Sequence, residues 1–354
     1  MDKKVVLLTN SNIGLYRFRK ELLAELVESY QTTVVSPNDG FEKEIQAIGV
    51  KYIDLPMDRR GINVFVELKL LAHYYRTLKS EKPDAVITYT IKPNIYGNIL
   101  TKLLKIPTIS TITGLGDTFI GGGLLSKIVV QLYRFSLSRA KALAFENEED
   151  SAIFKSLGII KNQKILQMPG AGVNLEEHLP LDYPQGRTVF LFISRYMKTK
   201  GIYELIEATK LLKQTYDFEM IFMGGAETDF TEKIDDTITD VGFQSDIKLY
   251  VKKAHAIVLP SYKEGMSNAL LEAAAMGRPL ITTNVSGCRE ALEDNGYLCE
   301  PRDVESLYEA MEKFINLPPA ERERMANKSR EKVEKTFDRR IVTEKMIDAL
   351  GGII

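Results

Sequence analysis

The sequence predicts an α/β protein made of two doubly wound domains in tandem. Through residues 1–180 short β-rich runs alternate with amphipathic stretches, and the same alternation restarts after the Pro- and Gly-containing segment 180–186. Strands that alternate with helices form mostly parallel sheets with helices on both faces. The 354 residues suit two domains, and a composition of 44% hydrophobic and 27% charged residues is sufficient for packed cores.

The first domain is expected to contain seven strands. The apolar runs 5–8 and 85–87 are typical of strands that are buried on both faces. Residues 17–30 and 65–78 repeat apolar side chains at the spacing of a helix that covers a sheet. The predicted strands are residues 5–9, 32–36, 50–55, 85–89, 108–112, 141–145 and 164–168.

The second domain is expected to contain six strands and a charged helical tail that breaks near Asp338. The predicted strands are residues 188–194, 219–223, 238–241, 256–260, 279–283 and 297–299. The domains are therefore assigned to residues 1–180 and 181–335, and a C-terminal helix over 336–354 is expected to pack back on the first domain. We expect the sheets to face each other across a cleft, because open α/β sheets bind ligands at the carboxyl ends of their strands.

Charge and composition exclude several classes of protein. Lys and Arg number 47 against 48 Asp and Glu, which argues against nucleic-acid binding. No apolar run is long enough for a transmembrane helix, and Cys288 and Cys299 form neither a metal-ligand spacing nor a disulfide framework. We expect a cytoplasmic protein without a metal. Residues 59–141 nevertheless hold 13 basic and 4 acidic side chains, which indicates either a face for an anionic partner or ordinary solvated helices.

The segment 259–273 places two glutamates around a strand-to-helix turn. A strand ends near residue 260, the chain turns at Gly265, and Ser267 is suited to cap the following helix. The N–H groups of a first helical turn favour an anion. Glu264 in the loop can accept hydrogen bonds from sugar hydroxyls, and Glu272 in the helix can hold a vicinal diol such as a ribose. The alternative is a helix with ordinary surface glutamates.

Arg195 and Lys200 lie in another strand-to-helix loop, over residues 193–201. Arginine offers a bidentate fork to phosphate oxygens, and lysine offers a point charge. Together they can neutralise a departing pyrophosphate, although single basic residues on loops are usually just exposed. Gly224 at the end of a strand and the segment 283–290 add two weaker elements. Four such elements in one domain indicate a pocket for a nucleoside diphosphate.

Two segments of the first domain are further candidates. Gly14 follows the first strand and precedes Arg17 and Arg19, so this loop is suited to a phosphate or to a transferred group. Residues 111–116 look like a dinucleotide fingerprint, but Phe119 stands at the place of the third glycine. The motif also follows the fifth strand rather than the first, and an NAD site is therefore rejected.

These motifs together resemble the retaining family 4 glycosyltransferases of GT-B fold. The resemblance rests on Ser194-Arg195…Lys200-Gly201, on Glu264-Gly265…Glu272 and on Ser286-Gly-Cys-Arg-Glu290. It implies that Arg195 and Lys200 hold the donor diphosphate, that Glu272 binds the ribose and that Glu264 contacts the transferred sugar. The remaining positions assigned to the donor are Gly14, Thr113, Gly114, Gly224, Gly265, Met266, Ser267 and Asn268. Thr113 stands where many relatives carry a histidine that touches the donor sugar.

Residues 89–97 and 111–116 are similar to a bacterial subgroup that extends lipid-linked N-acetylated sugars for capsule, O-antigen or glycoprotein glycans. This similarity implies transfer of an N-acetylhexosamine or a related sugar from a UDP-sugar to a polyprenyl-diphosphate-linked glycan. We expect front-face attack, because no carboxylate nucleophile for the anomeric carbon is evident, and double displacement by a carboxylate is the alternative. We expect no cofactor, and no metal because the chain lacks an Asp-x-Asp pair. A nucleotide-sugar epimerase, a phosphorylase and a non-catalytic nucleotide-sugar-binding protein are the rival functions.

A lipid-linked acceptor would also explain the basic segment of the first domain. We expect that segment to contact an anionic membrane, so that the protein is peripheral on the inner face of the cell membrane. Some of the basic residues lie beside the apolar runs 124–125 and 128–130. The candidates are Arg59, Arg60, Lys102, Lys105, Lys127, Arg134, Arg139 and Lys141.

Overall fold

The structure, a computed structural model, describes residues 3–58, 61, 63–115, 123–226, 230 and 234–354. The chain divides into two compact units. The first unit comprises Met1–Ala171 together with Arg339–Ile354, and the second comprises Gly172–Asp338. Each unit contains one parallel sheet with helices packed against it. Among the described residues, none of the helices combines the length and hydrophobicity needed to cross a membrane.

The first unit contains a parallel sheet of seven described strands, which confirms the predicted number. Its order is β3-β2-β1-β4-β5-β6-β7, so the direction of strand addition reverses between β1 and β4. Both of these central strands are buried along nearly their whole length, as their apolar sequences predict. The strands are β1 (Lys4–Leu8), β2 (Gln31–Ser36), β3 (Lys51–Asp54), β4 (Ala85–Tyr89), β5 (Thr108–Ile112), β6 (Ala142–Phe145) and β7 (Lys164–Gln167).

Helices cover both faces of this sheet. The first begins at Asn12, earlier than the predicted residue 17, because the Ser11 hydroxyl caps it by accepting a hydrogen bond from the Gly14 N–H at 3.1 Å. A single π-helical turn, Pro93–Gly97, precedes the fourth helix. The described helices are Asn12–Ser29, Glu42–Ala47, Val64–Glu81, Asn98–Leu104, Gly123–Ser136, Glu148–Ser156 and Arg339–Gly351, and a 3₁₀ turn covers Leu137–Arg139.

The second unit contains a parallel sheet of six described strands, again as predicted. Its order is β10-β9-β8-β11-β12-β13, with the reversal between β8 and β11. The strands are β8 (Thr188–Ile193), β9 (Phe218–Met223), β10 (Thr239–Asp240), β11 (Ala256–Leu259), β12 (Leu280–Thr283) and β13 (Gly296–Cys299). The helices are Ile202–Leu212, Lys248–Lys253, Asn268–Ala275, Val304–Ile315 and Pro319–Thr336, with 3₁₀ turns at Lys198–Lys200 and Arg289–Ala291.

The boundary between the units differs from the one that the Pro- and Gly-containing segment suggests. Val173 is fully buried in the core of the second unit, and its N–H donates to the Phe337 carbonyl at 2.8 Å. Residues 172–180 and 336–338 therefore belong to the second unit. The final helix, Arg339–Gly351, belongs to the first unit, where Val342 and Met346 are buried in the core that also contains Leu22.

Candidate functional site

Lys200 and Glu264 meet at the reversal point of the second sheet, where the loops after β8 and β11 lie side by side. Open α/β sheets bind their ligands at such a reversal point. Lys200 Nζ lies 2.5 Å from Glu264 Oε1, and the two side chains are only 15% and 13% exposed. The Ser261 hydroxyl donates to the same carboxylate oxygen at 2.8 Å. The structure thus pairs two residues that the sequence predicted for one site, and it adds Ser261.

The Lys200–Glu264 pair leaves donor capacity for a ligand. An ammonium group carries three N–H donors, so Lys200 can keep its bond to Glu264 and still donate to a phosphate oxygen. Cys288 is buried close to this pair. Its burial and, to a smaller extent, the negative charge of Glu264 raise the pKa of the Cys288 thiol to about 12. The thiol is therefore protonated at neutral pH and is not available as a nucleophile.

Glycine residues allow the loops around the site to pack closely. Gly201 has φ +69°, and a Cβ there would lie 2.1 Å from the Pro260 carbonyl oxygen. Gly287 has φ +83°, and a Cβ there would lie 2.7 Å from the carbonyl oxygens of both Glu264 and Gly265. Side chains at these two positions would push the loops apart, so the close packing of the loops after β8, β11 and β12 requires glycine.

The two adjacent glycines after β9, Gly224 and Gly225, have different surroundings. A Cβ on Gly224 would lie 1.8 Å from the Ser194 carbonyl oxygen, whereas no atom of the described residues lies within 4 Å of a Cβ on Gly225. Gly224 therefore packs the loop against the end of β8, and its predicted approach to a ligand stays a prediction. Gly225 is the member of the pair with open space beside it, and adjacent glycines in a sequence do not reveal this difference.

The helix Asn268–Ala275 begins where the sequence predicts. The Ser267 hydroxyl caps it by accepting from the Leu270 N–H at 3.4 Å, and the Ser267 N–H donates to the Gly287 carbonyl at 2.9 Å. Met266 is buried in the core, so only its backbone is suited to a ligand. Asn268 Oδ1 is buried and has no hydrogen-bond partner among the described residues. A buried acceptor of this kind indicates a missing donor, such as a ligand hydroxyl or N–H.

Arg195 lies in the same loop after β8 as Lys200, and Glu272 lies in the helix that follows the Glu264 loop. The Arg195 side chain is exposed, whereas its neighbour Tyr196 is buried and anchors the loop through a 2.8 Å bond from its N–H to the Gly225 carbonyl. The Tyr196 hydroxyl donates to Asp240 Oδ1 at 2.7 Å, and burial raises its pKa well above the usual range. Glu272 is half-buried on the helix that Ser267 caps.

The first unit's loop after β1 contacts a carboxylate of the chain. The Gly14 N–H donates to Ser11, and the Asp39 carboxylate accepts from the N–H groups of Asn12 and Ile13 at 2.8 and 2.9 Å. These three backbone donors are therefore engaged by the protein's own groups, and the role predicted for the Gly14 loop, binding a phosphate or a transferred group, stays a prediction. Asp39 follows β2, and a local motif does not reveal that it reaches this helix.

Two further polar residues, Thr90 and Glu146, directly follow the carboxyl ends of β4 and β6. Thr90 has φ 73°, a strained conformation for a β-branched residue, and its buried hydroxyl has no hydrogen-bond partner among the described residues. Arg19 forms a buried 3.0 Å ion pair with Glu146, whose pKa is raised by burial against the opposing effect of Arg19. The sequence predicts no role for Thr90 or Glu146, since their positions directly after strands are the only local signal.

The remaining predicted residues of the first unit follow β5. Thr113 is exposed and Gly114 has φ 111°. Gly116, Phe119, Arg59 and Arg60 lie outside the described residues. Within the described ranges, no three His, Cys, Asp or Glu side chains are grouped so that they would hold a metal ion.

Comparison with known proteins gives matches in both units. A family model described as glycosyl transferases group 1 matches residues 187–316, and one described as glycosyl transferase 4-like matches residues 4–147. Together they match well over half of the chain.

Among curated proteins, the chain is 26% identical to the N,N'-diacetylbacillosaminyl-diphospho-undecaprenol alpha-1,3-N-acetylgalactosaminyltransferase of Campylobacter jejuni, over 86% of this chain and 88% of the relative. It is also 26% identical to the UDP-Gal:alpha-D-GlcNAc-diphosphoundecaprenol alpha-1,3-galactosyltransferase of Escherichia coli, over 80% of each. Among solved structures, Anabaena HepE in complex with UDP and glucose aligns over 99% of both chains with a TM-score of 0.80 at 17% identity. This last likeness supports the fold alone.

Proposed function

Because the chain belongs to the group 1 and 4-like glycosyltransferases, we propose that it moves a sugar from a UDP-sugar to a polyprenyl-diphosphate-linked glycan with retention of configuration. The observation that carries the proposal is the Lys200–Glu264–Ser261 cluster at the reversal point of the second sheet. Both relatives described above are named as transferases acting on a diphospho-undecaprenol-linked sugar. We propose an N-acetylhexosamine or a related sugar as the transferred group.

The donor diphosphate is proposed to bind between the loop after β8 and the start of the helix Asn268–Ala275. Lys200 donates to a phosphate oxygen while it keeps Glu264 in place, and the exposed Arg195 guanidinium adds a second cation. The N–H groups of the first helical turn add partial positive charge. Glu272 on the same helix is proposed to accept hydrogen bonds from the ribose hydroxyls.

The chemical step then requires little from the protein beyond positioning and charge. The bond from the anomeric carbon to the diphosphate breaks as the acceptor oxygen attacks from the same face, and the acceptor's proton moves to the leaving phosphate. Lys200 and Arg195 stabilise the negative charge that grows on UDP. Glu264 contacts the transferred sugar through the carboxylate that Lys200 and Ser261 orient. This route uses neither a metal nor a cofactor.

The first unit is proposed to bind the acceptor and to contact an anionic membrane. Lys105, Lys127, Arg139 and Lys141 are exposed, as that role requires. Lys102 and Arg134 are instead partly engaged within the unit, since Lys102 donates to the Ser138 hydroxyl and Arg134 donates to the Leu157 carbonyl.

A UDP-release assay tests the reaction. The protein is incubated with a panel of UDP-sugars in the presence of a chelator, with and without an undecaprenyl-diphosphate-sugar acceptor. We expect acceptor-dependent release of UDP from one donor, and an α-linked product from an α-linked donor by NMR. Donor consumption without acceptor would favour the epimerase, and UDP binding without any turnover would favour a non-catalytic binding protein.

A further inference from the structure

Three neighbouring helices of the first unit expose an unusual amount of apolar surface. Of the fifteen large apolar side chains that are exposed in the described residues, nine lie on the helices Val64–Glu81, Asn98–Leu104 and Gly123–Ser136. The exposed fraction reaches 83% for Phe65, 76% for Leu124 and 67% for Leu103. Leu68, Leu125 and Ile128 are also exposed on these helices. We call the nine exposed apolar side chains of the three helices the apolar ridge. Exposed apolar surface concentrated in this way marks an interaction site.

The three helices lie side by side on one face of the first sheet. The helix Asn98–Leu104 packs against both of the others, and all three contact the π-helical turn Pro93–Gly97. Their inward residues belong to cores that contain Val86 of β4 and Leu143 of β6, which point to the same sheet face. The opposite sides of these helices therefore form one continuous outer surface.

The charge on this surface is positive. Lys69, Lys105 and Lys127 are exposed on or directly beside the three helices, whereas the helices Asn98–Leu104 and Gly123–Ser136 contain no acidic residue. Glu67 is withdrawn from the surface, because it is only 12% exposed and pairs with Lys92 at 2.5 Å. Lys102 Nζ lies 3.9 Å from the centre of the Phe135 ring, so a cation also covers an apolar side chain here.

We propose that the apolar ridge inserts into the interface of an anionic phospholipid bilayer, with the surrounding lysines on lipid headgroups. Apolar side chains on one face together with flanking lysines are the features that place helices in the headgroup region. A second copy of the chain is a poorer occupant, because it would bring like charges together. The inference rests on the proposed function and deepens it by naming the residues that contact the membrane. Membrane binding through charge alone would be lost at high salt, whereas binding through insertion of the apolar ridge would persist.

Co-sedimentation with vesicles tests the ridge. The vesicles contain phosphatidylglycerol with phosphatidylethanolamine, and the variants are Phe65→Ser/Leu124→Ser for the ridge, Lys105→Gln/Lys127→Gln for the charge, and Phe243→Ser/Leu249→Ser as a control. Phe243 and Leu249 are 70% and 58% exposed in the second unit. We expect the ridge variant to bind at least about tenfold less at low salt and at roughly 0.5 M salt, and the control to bind like the wild type.

The charge variant gives the complementary outcome. We expect it to bind more weakly than the wild type at low salt and equally at high salt, because screening removes the lysine contribution in both proteins. Wild-type protein that fails to bind the vesicles, or a ridge variant that binds as well as the wild type, overturns the proposal. A ridge variant that dissociates a dimer in sedimentation velocity experiments and keeps vesicle binding assigns the ridge to a second copy instead.

Activity on two acceptors separates this inference from the proposed function. With an acceptor whose short prenyl chain stays in water, the ridge variant should transfer sugar at the wild-type rate. With the long-chain acceptor embedded in vesicles, its rate should fall in parallel with vesicle binding. Transfer to neither acceptor by the wild type would contradict the proposed function, whatever the vesicles show.

Discussion

The loops after the first strand of each sheet contact a carboxylate of the chain in different ways. In the second unit, the Lys200–Glu264 pair lies at the reversal point, and glycines such as Gly287 hold the neighbouring loops together. In the first unit, the carboxylate of Asp39 already binds the N–H groups of Asn12 and Ile13 at the start of the helix. The loop after β8 thus meets a carboxylate through a lysine side chain that has further N–H donors, whereas the loop after β1 meets one through its backbone N–H groups.

On this difference we base the proposal that the donor diphosphate binds to the second unit, and the largest expected effect tests that proposal. Replacing Lys200 with Ala removes a cation from the departing UDP and leaves Glu264 without its partner. We expect kcat to fall by about 10²–10³. The control is Lys198→Ala, which removes an exposed lysine of the same loop and should leave kcat within about twofold. Equal loss in both variants would contradict the proposal.

The glycine packing of the second unit gives the next largest effect. A methyl group at Gly287 meets two carbonyl oxygens at 2.7 Å and also strains a positive φ, so Gly287→Ala should destabilise the protein by about 1–3 kcal/mol and reduce UDP affinity. Gly225→Ala is the matched control, because its Cβ has open space. Urea unfolding and UDP titration measure the two effects. Unchanged unfolding of Gly287→Ala would mean that the loops adjust without cost.

Acid should weaken the second unit through His255. Burial, followed by the charges of Arg322 and Arg278, lowers its pKa from 6.5 to about 4, and its Nδ1 accepts a hydrogen bond from the Val189 N–H. The unfolded chain therefore binds the proton more readily, so stability is full above pH 6.5 and falls as the pH approaches 4. The expected slope is about 1 kcal/mol per pH unit.

Urea unfolding of the wild type and of His255→Asn between pH 7 and pH 4.5 checks this slope. Asparagine keeps an acceptor near Nδ1 and does not titrate, so the variant should have a shallower dependence on pH. An identical pH dependence in both proteins would show that other groups control the loss of stability in acid.

Asp39 is expected to give the smallest effect. Asp39→Ala removes the acceptor at the helix N-terminus and should reduce the free energy of unfolding by about 1 kcal/mol, with little change in the KM for the donor. Asp39→Asn keeps an acceptor oxygen and should recover part of that stability. A fall in kcat as large as that of Lys200→Ala would show that the first unit's loop also holds the diphosphate.

The number and approximate positions of the strands were largely predictable from the sequence. Apolar runs such as residues 5–8 and 188–193 are fully or mostly buried strands, and even the weak run near 239–240 forms a short one. The start of the helix Asn268–Ala275 was predictable because Ser267 caps its own turn. Signals of this kind act within a few residues along the chain, where the order of amino acids determines which groups meet.

The boundary between the units was not predictable from the positions of prolines and glycines. The segment 180–186 contains prolines and a glycine, yet the second unit begins at Gly172 because Val173 pairs with the distant Asp338. The buried Arg278 extends this connection, since its guanidinium donates to the carbonyls of Leu181 and Asp182. These bonds join residues far apart in sequence, and composition alone does not predict them.

By itself, the sequence determined the alternation of strands and helices, the family, and which cations and carboxylates follow the strands. Only the tertiary structure decided how these residues are used. It paired Lys200 with Glu264, gave Gly224 to loop packing and left Gly225 open, and brought Asp39 to the N-terminus of the first helix. The physical reason is that local patterns set backbone conformation, whereas a polar group's role depends on the partner that distant parts of the chain bring within hydrogen-bonding distance.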